Sequence, residues 1–221
     1  AGRAQWGVKM NDTWIAEWFT NYGHWIMHYA KLAQDLGMDT FHAMHELHTM
    51  GTNASLTPQW RSLLTDVRSV FDGEVSVAFN GNPFFKDVAR GGIGYIDLLD
   101  SIGLDCYWPL VTELPEQPWQ RPGVDVVAKA WEPWIEQMKN ITTNVYPDKK
   151  IICTEIGYQS RPYAWVRGLN QYQLDPRDCS VYDQCINQEA QADAIEGLIQ
   201  ALYQYDWFAG IYLWLWRADP S

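Results

Sequence analysis

The chain of 221 residues carries a formal net charge of −11, with 47% hydrophobic and 14% aromatic residues. That length makes one domain, or a large part of one, with enough apolar side chain to bury a sizeable core. Acidity spread over the sequence excludes nucleic acid, whose phosphates would be repelled, and the longest apolar run, Trp207 to Trp216, is too short to span a bilayer.

From Thr13 the residues Ile15, Trp18, Phe19, Tyr22, Ile26, Tyr29, Ala30 and Ala33 fall on one helical stripe. Gly37 closes that helix, and a strand follows over 39–46. Residues 48–56 read as a loop. Thr57-Pro58 then caps and starts a helix with Trp60, Leu63, Leu64, Val67 and Phe71 on its buried face. Alternation over 74–80 predicts a second strand, broken by Asn80-Gly81-Asn82-Pro83, and a short helix is expected at Tyr95–Asp100. Residues 102–108 form the third expected strand. The next helix carries Val127, Ala130, Trp131, Trp134, Ile135 and Met138, with a kink or late start at Pro133. A strand over 150–156, a long loop, a helix capped by Asn187 and a last strand over 210–216 complete the chain.

Helix and strand alternate throughout, so the class is α/β, with strands apolar enough to be buried on both faces. Five strands spaced roughly 30 to 60 residues apart suit a parallel (β/α)8 TIM barrel, of which the chain would cover strands 4 to 8. Residues 1–221 read as one catalytic-type domain, the C-terminal portion of a longer one. The missing part of the barrel, or another chain, is then expected to complete it, because a five-stranded piece exposes two sheet edges. A doubly wound sheet competes, but no glycine-rich phosphate loop follows any strand.

Thirteen Trp and 12 Tyr are the anomaly in composition. Most belong to an aromatic core, while two or three fit a groove where flat rings stack on a sugar. The four cysteines allow three pairings; Cys179 and Cys185 flank a short turn-like segment and suit a local disulfide shaping substrate access. Sequons at Asn11, Asn53 and Asn140, together with the cysteines, point to a secreted glycoprotein. Without an initiator Met or a signal peptide, the chain reads as a mature or trimmed product.

In a parallel barrel all strand C-termini open on one face. Here they deliver Glu46, Asn80, Tyr107 with Trp108, Glu155, and Trp214 with Trp216. Two carboxylates among amide, phenol and indoles fit glycoside hydrolysis, in which one acid protonates the leaving oxygen and another serves as nucleophile or base. His45 and Tyr158 flank the two acids and join the expected sugar contacts. Metal catalysis is a rival, since all five histidines lie between His24 and His48. The H-E-x-x-H spacing is missed by one residue, however, and on a strand His45 and Glu46 would point to opposite faces. The other rival is a non-catalytic carbohydrate-binding or structural module built on the same barrel.

The stretches FHAMHEL (41–47), IGLDCYWPL (102–110), ICTEIGYQS (152–160) and WFAGIYLWLW (207–216) resemble glycoside hydrolase family 113, whose characterised members are retaining (β/α)8 endo-β-mannanases. The resemblance runs from about Trp18 to Trp216. It implies Glu46 as acid/base at the end of the fourth strand and Glu155 as nucleophile at the end of the seventh. It also implies that Tyr107 hydrogen-bonds the nucleophile, and that Trp214 or Trp216 floors the sugar being cleaved. The implied substrate is a mannan-type β-linked polysaccharide, and neither metal nor organic cofactor is required. One departure stands out: many relatives place Asn before the acid/base, where this chain has His45.

Overall fold

The computed structural model describes residues 6–7, 10–110, 121–160, 165–166 and 186–214. Five strands, β1 (Thr40–His45), β2 (Glu74–Asn80), β3 (Ser101–Asp105), β4 (Lys150–Ile156) and β5 (Phe208–Leu213), pair in sequence order in one sheet. β1 and β2 run parallel, with Phe41 beside Val75 and a register shift between His42 and His45. By compactness the chain divides into one unit of Ala1–Leu104 with Thr142–Ile152 and another of Asp105–Ile141 with Cys153–Ser221.

In the first unit, α1 (Asp12–Asp35) begins where the Asn11 side chain accepts from Trp14 N, 2.9 Å away. It stops in a Schellman turn: Met38 N donates to Ala33 O and Gly37 N to Gln34 O, with Gly37 at φ +65°. Residues 48–56, expected as a loop, instead form α2 (His48–Thr52) and a 3-10 turn (Ala54–Leu56). Gly51 belongs in that short helix for tertiary reasons, since a Cβ there would meet Met44 Sδ at 2.6 Å. Next comes α3 (Thr57–Arg68), opened by Pro58. β2 ends at Asn80, where the Asn-Gly-Asn-Pro segment is expected to break it, and the chain passes directly into α4 (Gly81–Ala89). Pro83 is tolerated in its first turn, where backbone N–H groups have no intrahelical acceptor.

The core of this unit centres on Trp60, whose indole donates to Met50 O at 2.7 Å and whose ring meets Trp18, Phe19, Tyr22 and Tyr95. Tyr95 and Tyr22 spend their hydroxyls on Gly51 O and Ala43 O. Burial pushes both phenols above their ordinary range, so they stay neutral donors.

In the second unit, the helix expected across Pro133 divides into α5 (Val124–Ala130) and α6 (Glu132–Asn140), the proline lying in the first turn of α6. α7 (Gln188–Leu202) starts at Asn187, whose side chain accepts from Ala190 N. α5 and α7 meet closely at Gly197, where a Cβ would stand 2.6 Å from Val127 Cβ. Asp193 on α7, 2% exposed, accepts from the Arg121 guanidinium and from Gly123 N at the start of α5.

The guanidinium bonds hold the Asp193 carboxyl below the usual carboxylate range. Because the folded value is depressed, its contribution to stability is present above the unfolded pKa and lost as pH falls through the folded one. Asp193→Ala is therefore expected to cost about 1–3 kcal/mol at neutral pH. The gap to the parent should begin to narrow only below about pH 4 and close as pH falls through the lower folded value. Urea unfolding at pH 7 and pH 3 checks both.

Candidate active site

In the first unit β1 ends at His45, and the backbone turns sharply at Glu46, the one non-glycine residue with positive φ (+51°) among those described. A β-carbon in this left-handed conformation costs about 1–2 kcal/mol. Such outliers persist where surrounding structure over-determines them. Here Glu46 N donates to Ala78 O at 2.9 Å, and Met44 and Leu47 on either side are buried. Glu46 thus stands past the strand, so the alternation that set His45 and Glu46 on opposite faces does not extend to it. Its carboxylate accepts from Asn80 Nδ2 at 3.4 Å, a long, neutral hydrogen bond from the end of β2. Two residues on, His48 opens α2 with Nδ1 3.6 Å from Asp87 Oδ2.

In the second unit Glu155 lies one residue before the end of β4. β3 stops at Asp105, three residues earlier than the sequence pattern predicts. Trp108 N donates to Cys106 O at 2.9 Å, which puts Tyr107 at the apex of a tight three-residue turn. From there the Tyr107 hydroxyl donates to Glu155 Oε2 at 3.3 Å, while Cys106 N donates to Glu155 O at 2.7 Å. Beside them Thr154 Oγ1 donates to Oδ1 of Asp105, a carboxylate only 4% exposed. Cys106 and Cys153 are joined by a disulfide with Cα atoms 5.7 Å apart. Asp105 and this bridge escape a reading of the sequence: a strand-interior Asp gives no signal, and four cysteines give only a list of pairings.

The aromatic residues divide. Trp108 is 2% exposed, its ring stacked on Trp134 and edge-on to Trp131. Tyr158 is buried too, and burial pushes its phenol above the ordinary range. Both side chains, expected among the sugar contacts, are buried in the described residues. Trp214, just past β5, is 48% exposed, and its N–H donates to Ile156 O beside the end of β4. Trp216, Cys179 and Cys185 lie outside the described residues. Asn11, Asn53 and Asn140 are all exposed.

A parallel sheet whose strands alternate with helices is the class of (β/α)-barrel-like folds. The chain belongs to Glycoside Hydrolase Family 113, whose model matches residues 3–220. It is similar to a solved GH113 β-1,4-mannanase with a TM-score of 0.68 at 22% identity, over 98% of this chain and 59% of that one. The GH113 β-mannanase AaManA from Alicyclobacillus acidocaldarius, in complex with ManMIm, gives 0.66 at 21% identity, over 92% and 52%. A β-glucuronidase from Ruminococcus gnavus gives 0.60 at 12%, over 93% and 31%. At these identities the likeness defines a TIM-barrel-like fold, and the chain spans under three-fifths of the length of these solved relatives. No curated protein is similar enough to count as a further relative.

Proposed function

We propose that this chain carries the two catalytic acids of a glycoside hydrolase that cleaves mannan-type β-linked polysaccharide with retention of anomeric configuration. The observation that carries the reading is that both strand-end glutamates accept hydrogen bonds from neutral donors, Asn80 on Glu46 and Tyr107 on Glu155. A phenol donating to a carboxylate favours its ionised form, as a nucleophile needs. The Glu155 oxygen attacks the anomeric carbon as Glu46 gives its proton to the departing glycosidic oxygen. Glu46, now a carboxylate, takes a proton from water, and the water oxygen displaces Glu155. Two displacements at one carbon restore the starting configuration. Trp214 offers an exposed indole for stacking on the sugar, and His45, the last residue of β1, remains a proposed sugar contact.

We read the five strands as the fourth to eighth of an eight-stranded barrel, completed by further polypeptide in the same chain or another. The share of the solved relatives that the chain spans supports this. Exposed sequons and a cysteine bridge support passage through an oxidising, secretory compartment. The test of mechanism is proton NMR of a β-linked mannooligosaccharide digest in its first minutes. A β-anomeric product appearing first is expected; an α-anomer appearing first would refute retention.

A further inference from the structure

We infer that the Cys106–Cys153 disulfide is a positioning pair for catalysis, fixing the turn that presents Tyr107 to Glu155. The inference rests on the reading of Glu155 as nucleophile. The bridge touches both ends of that contact: Cys106 directly precedes Tyr107, and Cys153 stands two residues before Glu155. Both half-cystines are fully buried, so the bridge lies inside the fold rather than as an outer staple.

Tyr107 needs such support. The ladder of β3 ends at Asp105, so the tyrosine is carried on a turn whose following side is held by Trp108 stacked on Trp134, with Trp134 Nε1 donating to Pro109 O at 3.1 Å. On its preceding side the turn is tied to β4 by Cys106 N donating to Glu155 O and by the disulfide. At 3.3 Å the Tyr107–Glu155 bond lies beyond the usual O–H···O distances. A shift of a few tenths of an ångström opens it. Two covalently linked sulfurs hold backbone separation far more tightly than two unlinked thiols, which can slide apart. A second tie, Thr154 Oγ1 to Asp105 Oδ1, lies next to the bridge on the same two strands.

A disulfide closing a long loop also stabilises the fold by restricting the unfolded chain. The experiment must therefore separate positioning from stapling, and a double-mutant cycle does so. The full-length enzyme containing this domain is compared with Tyr107→Phe, with Cys106→Ser/Cys153→Ser, and with all three substitutions, well below every melting temperature. The cysteine pair should lose about tenfold in kcat with KM within about twofold. On the Tyr107→Phe background the same pair should lose little more, because the contact it positions is already gone. Multiplying losses, or unchanged kcat with only a lower melting temperature, overturns the inference. If the serine pair does not fold, Cys106→Ala/Cys153→Val refills the buried space without the bond and is read the same way. Glu155→Gln runs alongside: if it retains activity, the assignment of the nucleophile fails, which is a separate result from a silent cysteine pair.

Discussion

Glu155→Gln should reduce turnover by on the order of 10⁴ to 10⁶ while leaving the melting curve almost unchanged. The amide keeps the shape of the side chain and can still accept from Tyr107, but it cannot form the glycosyl ester on which the double displacement depends. Glu46→Ala removes proton transfer instead, a loss on the order of 10² to 10⁴ that shrinks for substrates whose leaving group needs no proton. Added azide tells the two apart by stereochemistry. With Glu46 replaced, azide intercepts the glycosyl-enzyme from the face opposite the ester and yields the β-glycosyl azide. With Glu155→Ala, azide enters from the side the carboxylate occupied and yields the α-glycosyl azide. Glu46 carries a further signature in its backbone. Glu46→Gly should lose turnover to about the same extent as Glu46→Ala yet stabilise the fold by up to about 1 kcal/mol, because glycine adopts φ +51° without strain. A functional side chain held against its backbone preference predicts that opposition.

The largest effect on stability is expected at Trp60. Its indole is 0% exposed, ringed by Trp18, Phe19, Tyr22 and Tyr95, and its N–H is bonded to Met50 O. Trp60→Ala empties the middle of that cluster, for a loss of about 3–5 kcal/mol. The carbonyl of Met50 loses its donor as well. Trp25, on α1 and 55% exposed, should tolerate alanine within about 0.5 kcal/mol. Equilibrium unfolding in urea measures both, and equal losses would contradict the packing described for this unit.

Where one local rule decides, the sequence and the structure agree. The Gly37 turn and the Asn187 cap each follow from a residue type at one position, and the strand over Glu74–Asn80 from its alternation. Agreement fails where tertiary contacts decide. Residues 48–56 read as a loop yet form α2 and a 3-10 turn, with Gly51 packed where a Cβ would meet Met44 Sδ at 2.6 Å. β5 begins two residues earlier than its apolar run predicts and leaves Trp214 beyond its end. Periodicity likewise places Trp108 and Tyr158 at strand ends without revealing that other side chains cover them. Glu46 and Glu155 are legible as residues near strand ends, whereas Tyr107, expected within the third strand, lies on a turn two residues beyond it. The left-handed turn at Glu46 is not legible, since a glycine or asparagine is what the conformation normally selects. Nor is the Cys106–Cys153 pairing, which depends on two strands being neighbours.

The central claim, Glu155 as a nucleophile that becomes covalently bonded to the sugar, is tested most directly by trapping. The active enzyme is incubated with a 2-deoxy-2-fluoro-β-mannosyl fluoride, whose glycosyl ester hydrolyses slowly, and its peptides are read by mass spectrometry. A single added fluoromannosyl group on the peptide containing Ile152 to Ser160, located at Glu155 and absent from Glu155→Gln, is the predicted result. A label on another carboxylate, or steady turnover with no labelled peptide, would contradict it.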